Sequence, residues 1–190
     1  MSKIFFISDN HFGHENAIRF DERGFKSAEE MDAEMLRRWN EAVSDEDIVY
    51  ILGDLSWKSP QATEELLDKL KGKKHLILGN HDGKYMKNPR FRDKFESISN
   101  YKEIFIDKDT LLVLCHYPIP CFKNHLHGSY HFYGHVHNSF EYEIMEDLKL
   151  AMEDEQKKEL RMYPVGCMLP HMNYTPRTFE EIIKEYKYER

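Results

Sequence analysis

The sequence predicts an α/β fold. Short apolar runs of three to five residues recur along the chain, and segments with helical spacing of apolar residues lie between them. Runs this short suit strands buried on both faces, and alternation of strand with helix is the pattern of an α/β sheet. A third observation gives the pattern meaning: each run is followed closely by a cluster of Asp, Asn, His or Gly. In such sheets ligands bind beyond the carboxyl ends of the strands.

The elements follow in order. Ile4–Ile7 is the first expected strand. Ser27 and Glu30 have the spacing of a capping box, opening a helix with Met31, Met35, Leu36, Trp39 and Val43 on one face. Ile48–Leu52 is the second strand. Ser59-Pro60 starts the next helix, Leu66, Leu67 and Leu70 form its stripe, and Gly72 stops it. Leu76–Leu78 is the third strand. Tyr101–Ile106 and Leu111–Cys115 flank Asp107-Lys108-Asp109-Thr110, the spacing of a hairpin. Thr178 and Glu181 cap a last helix with Phe179, Ile182, Ile183 and Tyr186 on one face. Residues 141–160 differ. They carry eight acidic residues against three lysines, with Ile144, Leu148, Ala151 and Met152 as a thin helical stripe. This reads as a solvated surface helix, with a lid or partner contact as the functional alternative.

The 190 residues read as one domain, 1–190, with no linker, low-complexity tract or repeat. Lys and Arg number 27 against 34 Asp and Glu, a net charge of −7. That excludes a basic nucleic-acid footprint over the whole chain but leaves room for a local cationic site. No apolar run reaches the ~18 residues of a membrane span. The chain turns polar at Ser8-Asp9, too early for the apolar stretch of a secretion signal. Cys115, Cys121 and Cys167 cannot all pair with one another, so a reducing cytoplasm is the expected setting. The unusual number is 11 histidines.

Many of these histidines stand at strand ends. Ile4–Ile7 leads to Asp9 and His11, Ile48–Leu52 to Gly53-Asp54, Leu76–Leu78 to Gly79-Asn80-His81-Asp82, and Leu111–Cys115 to His116. Gly134-His135-Val136-His137 follows, with two histidines able to project the same way from extended chain. Carboxylate, imidazole and amide oxygen are ligands for divalent Mn, Fe, Zn, Co or Ni, and no cysteine belongs to the set, which argues against a thiolate zinc site. Seven candidate ligands exceed one tetrahedral ion and suit two ions sharing a carboxylate. A pair of metals ~3.5–4 Å apart stabilises the attacking and leaving oxygens of an in-line phosphoryl displacement.

Asp9-x-His11, Gly53-Asp54, Gly79-Asn80-His81-Asp82, His116 and Gly134-His135-x-His137 occur in the order of the calcineurin-like metallophosphoesterases, which the sequence resembles over residues 9–137. Tyr163-Pro164-Val165-Gly166 and Pro176-Arg177-Thr178 resemble that family's closing strand and helix. Ser8–His14 and Cys115-His116-Tyr117-Pro118 resemble its small bacterial and phage-type members without a cap domain. The resemblance implies a four-layer α/β/β/α sandwich and a dinuclear centre. Asp9, His11 and His137 would hold one ion, Asn80, His116 and His135 the other, and Asp54 would bridge them. A shared hydroxide would attack phosphorus while His81 protonates the leaving oxygen. The expected partner is a small phosphate ester, a nucleotide or a nucleic-acid end, with phosphodiesters preferred to monoesters. The alternative is a scaffold that keeps the fold without catalysis.

One departure stands out. The protein-phosphatase branch places Asp-Arg three residues after Gly-Asp, where this chain has Trp57-Lys58. Trp57 thus replaces the carboxylate that orients the catalytic histidine, and Asp82 becomes the candidate for that task. His14, Arg23 and the loop residues Lys123, His125 and His127 are the candidate substrate contacts.

Overall fold

The computed structural model describes residues 2–189. In chain order the elements are β1 (Ile4–Ile7), α1 (Glu15–Phe20), α2 (Ala28–Ala42), β2 (Ile48–Ile51), α3 (Pro60–Lys69), β3 (Lys73–Ile77), α4 (Pro89–Arg92), β4 (Ser97–Ser99), β5 (Tyr101–Phe105), β6 (Leu111–Cys115), β7 (Tyr130–Tyr133), α5 (Phe140–Gln156), β8 (Met162–Pro164), β9 (Arg177–Thr178) and α6 (Phe179–Glu189). One sheet has the order β4-β3-β2-β1-β9, parallel except for β9, and the other β5-β6-β7-β8, parallel except for β5. Parallel neighbours need crossovers; helices supply them except between β6 and β7, where a loop with one 3₁₀ turn at His125–His127 makes the connection. This is a mixed α/β architecture of two sheets flanked by helices, as the resemblance implies.

The sheets meet through their apolar faces. Phe6 of β1 stands edge-on to Phe132 of β7 at 5.1 Å, and both are fully buried. Met31, Met35 and Trp39 of α2, Leu66 and Leu67 of α3, and Ile182 and Tyr186 of α6 are buried as their stripes require. Ser27 accepts from the Glu30 amide, but the Glu30 carboxylate reaches back to the Lys26 amide rather than to Ser27. The Thr178–Glu181 box closes in both directions. The Asp107 side chain accepts from the amides of Asp109 and Thr110 and closes the β5–β6 hairpin.

The structure differs from the sequence expectation in several places, including α1, α4 and β4, which no sequence pattern announced. β3 begins at Lys73, because its pairing with β2 starts at Ile48↔Lys73, ahead of the apolar run. The strand expected at Tyr163–Gly166 spans Met162–Pro164 and pairs with β7, and Gly166 instead bridges Ser8. β7 itself, Tyr-His-Phe-Tyr, has no apolar run to announce it, because a buried histidine occupies a core position. Among the described residues no helix is long and apolar enough to cross a membrane.

Candidate metal centre

The loops after β1, β2, β3, β6 and β7 converge at one end of the two sheets. Their backbone is strained: Asp9, His11, Asp54, His135 and His137 all have φ between +50° and +72°. L-residues pay roughly 1–2 kcal/mol each for the left-handed region, and such outliers persist only where surrounding contacts over-determine them. Close approach sets the glycines beside them. A Cβ on Gly53 would lie 2.5 Å from His116 Nδ1, and one on Gly134 would lie 2.5 Å from Asp9 Oδ2.

Asp82 does much of the fixing. Its buried carboxylate accepts from the amides of Asp54 (2.9 Å), Gly79 (2.9 Å) and Leu55 (3.2 Å), tying the β2 loop to the β3 loop. Asp82 therefore positions backbone and does not orient His81, correcting the expectation. The short 3₁₀ turn that it begins carries its side chain inward, away from its sequence neighbour.

The seven expected ligands come together in two groups. Ligand atoms of Asp9, His11 and His137 lie within 4.8 Å of one another, as do those of Asp9, Asp54 and His116. Asn80 Oδ1 lies 3.0 Å from His116 Nε2 and 3.1 Å from His135 Nδ1. Asp9 is common to both groups, and Asp54 Oδ2 also reaches across them, 3.6 Å from His11 Nε2 and 3.7 Å from His116 Nε2.

The imidazoles are preset for a cation. His116 Nδ1–H donates to the Leu52 carbonyl (2.8 Å), and His137 Nδ1–H donates to the Asp21 carboxylate (2.9 Å). An acceptor that holds one ring nitrogen fixes the tautomer and leaves the lone pair on the other. With neutral His116, Nε2 and Asn80 Oδ1 are then two acceptors face to face, and His11 Nε2 is buried with no hydrogen-bond partner. A divalent ion satisfies both, so the donor set fits a metal.

Electrostatics agree. Burial acts to raise the Asp9 carboxyl, yet the hydrogen bond and charge of His137, with His116 and His11, hold it far below the carboxylate range. Burial opposes charge on His137, but hydrogen bonds and charges from Asp21 and Asp9 lift it to about 10. Burial drives His11 down to about 2 despite Asp9. The same carboxylates that raise His137 would favour a divalent cation at its Nε2, which would compete there with a proton.

A cavity of about 410 Å³ opens over these groups, bordered also by His14, Phe20, His81 and Glu141. His81 is partly exposed, its amide donates to Asp54 Oδ1 (2.9 Å), and its Nε2 is 3.9 Å from Asp54 Oδ2. Trp57 meets the His81 ring edge-to-face at 4.4 Å and stacks on His14 at 4.2 Å. His14 also lies 3.3 Å from His11, Nδ1 to Nδ1, so it supports a ligand as well as bordering the cavity.

The other expected substrate contacts lie elsewhere. Arg23 is 4% exposed, with its donors taken by the carbonyls of Asn10 and Asp9 and by Asp21. It is a clamp on the strained loop, not a phosphate ligand. Lys123 pairs with Glu103 at 2.5 Å, His125 Nδ1 bonds the Phe122 carbonyl, and neither these two nor His127 borders the cavity. The sequence reading missed Asp21. Its signal was an acid two residues before a buried arginine, with no pattern linking it to His137, 116 positions away.

A family model described as calcineurin-like phosphoesterase matches residues 2–159. The chain belongs to that family. An uncharacterised protein of Methanocaldococcus jannaschii, MJ1445, is 42% identical over 110 residues, 56% of this chain and 58% of that protein. The Gene 66 protein of Mycobacterium phage L5 is 35% identical over 108 residues, 55% of this chain and 50% of that protein. The chain thus spans about half the length of the curated relatives it matches. The crystal structure of the Aquifex aeolicus protein AQ665, of unknown function, superposes with a TM-score of 0.71 at 25% identity, covering 97% of this chain and 99% of that one. Phage and archaeal relatives are consistent with a small form of this calcineurin-like phosphoesterase. Family and ligand clusters together support metal-dependent phosphoester hydrolysis.

Proposed function

We propose that the protein is a dinuclear metal-dependent phosphodiesterase acting on small phosphate esters. The observation that carries the reading is the convergence of the seven expected ligands, five of them lining a cavity that is bordered, among the described residues, by no lysine or arginine. Arg23 is consumed inside the fold, and Lys58 pairs with Asp32 at 2.6 Å. A monoester dianion asks for more positive charge than a diester monoanion, and Glu141 at the rim adds a negative one. The lining therefore favours the diester.

Asp9, His11 and His137 would hold one divalent ion, Asn80, His116 and His135 a second, with Asp54 between them. Such ions supply Lewis acidity and hydroxide at neutral pH. His81 borders the same cavity and donates the proton from Nε2 to the departing oxygen, a contribution of ~10²–10⁴ in rate. Trp57 limits the swing of the His81 ring, standing where related phosphatases place a carboxylate.

The test is metal analysis of the purified protein, followed by turnover of bis(4-nitrophenyl) phosphate and 4-nitrophenyl phosphate with added Mn²⁺. Bound metal and faster diester cleavage are expected. Faster monoester cleavage overturns the diester assignment, and absence of both metal and turnover overturns the whole reading. His81→Ala is expected to keep its metal and lose activity on esters with poor leaving groups.

A further inference from the structure

A second cavity, of about 320 Å³, lies beside the metal pocket and shares His135, Val136 and Glu141 with it. Its far side is apolar: Tyr117 from the loop after β6, and Ile144 and Met145 from the first turns of α5. Ile144 is 46% exposed, one of several exposed apolar residues of α5, and Tyr117 is 45% exposed although its ring meets His135 edge-to-face at 4.6 Å. The wall is held in place. Ser139 caps α5 by accepting from the Glu141 amide, and its hydroxyl donates to the Val136 carbonyl within the His135–His137 loop.

We infer that this groove binds an uncharged aromatic group carried by the non-leaving ester arm of the substrate, the class that includes nucleobases. The inference rests on the phosphodiester reading, since a monoester has no such arm. Continuity carries it: a phosphoryl group at His135 has the groove as its next compartment, and the groove lies within the range of small-molecule sites. Tyr117 offers an exposed ring for stacking, and Ile144 and Met145 offer apolar contact. Glu141 at the seam disfavours a second phosphate on that arm and accepts from a ring N–H or sugar hydroxyl. The exposed apolar surface of early α5 thereby acquires a use.

Phosphinates test this without turnover, because both substituents are bonded to phosphorus through carbon. Dimethylphosphinate and methyl(phenyl)phosphinate are titrated calorimetrically into Mn²⁺-loaded protein. Burying the ring is expected to tighten binding about tenfold. In Ile144→Asp and in Tyr117→Ala the affinity ratio should fall toward one. Both positions are exposed, and the ratio cancels any general effect of added charge on anion binding. Equal affinity of the two phosphinates for the wild type overturns the groove while leaving the phosphodiester reading intact, as does a ratio that persists in both variants. Failure of both phosphinates to bind, with turnover confined to monoesters, overturns the reading and the groove with it.

Discussion

Replacing Asp82 by alanine removes three acceptor contacts at once, from Asp54, Gly79 and Leu55 amides that have nowhere else to turn. A buried donor left without a partner costs ~1–3 kcal/mol. Three at ~2 kcal/mol give ~6 kcal/mol, and relief of a buried carboxylate, whose pKa burial pushes up, returns part of it. The net expectation for Asp82→Ala is a loss of about 4 kcal/mol, a large share of the 5–15 kcal/mol typical of a domain. Asp82→Asn is milder. Its single oxygen, placed at the Oδ2 position, keeps the two 2.9 Å contacts, while its NH₂ faces the Leu55 amide where the 3.2 Å bond was. About 1–2 kcal/mol is expected. Urea unfolding of the metal-free proteins measures both values, and Mn²⁺ titration should show weaker binding in the alanine variant because the Asp54 and Asn80 loops lose their tie. An alanine variant within 1 kcal/mol of wild type, or an asparagine variant as damaged as the alanine one, refutes the reasoning.

Other outcomes follow from neighbouring features. Asp21→Ala frees the His137 ring and should weaken metal binding ~10–100-fold, read by competition with a chelating dye. Trp57→Ala should slow esters with alkoxide leaving groups about tenfold and spare 4-nitrophenyl esters, since only a poor leaving group needs the His81 proton; equal loss on both would remove Trp57 from that role. His131 is buried, donates from Nδ1 to the Val113 carbonyl, and accepts at Nε2 from the Ile119 amide. Burial lowers it from 6.5 to about 4, so the folded state binds fewer protons than the unfolded one between those values. Stability is fully present above pH 6.5 and falls as the pH drops toward 4, by about 3 kcal/mol at ~1.4 kcal/mol per pH unit. His131→Phe should flatten that part of the urea-unfolding profile, and an unchanged slope would acquit the residue.

The convergence of the expected ligand residues was legible because most of their sequence blocks follow an apolar strand run, so that the sheets deliver them to one place. Their supports were not legible. Asp21 and Arg23 act through folding of a loop onto Asp9 and His137, and neither contact leaves a spacing to read. Asp82 misled because adjacency to His81 in sequence is not adjacency of side chains in a 3₁₀ turn. The loop histidines His125 and His127 misled for a similar reason: lying between two ligand blocks in sequence does not turn a loop's side chains toward the site. β7 was missed because His131 interrupts it, and that residue is tolerated only through two hydrogen bonds invisible in the sequence.

The left-handed backbone at five of the seven expected ligands has an evolutionary side. Glycine occupies that region freely, so at these positions the substitution that abolishes the ligand also relaxes the chain. Under the proposed function, conformational stability and catalysis pull in opposite directions there, and the advantage of turnover is what keeps the side chains in place. Without that advantage, replacement by glycine at Asp9, His11 or His137 runs downhill in backbone energy. Under that reading, a fold built this way could lose its metal ligands one at a time and persist as a binding scaffold.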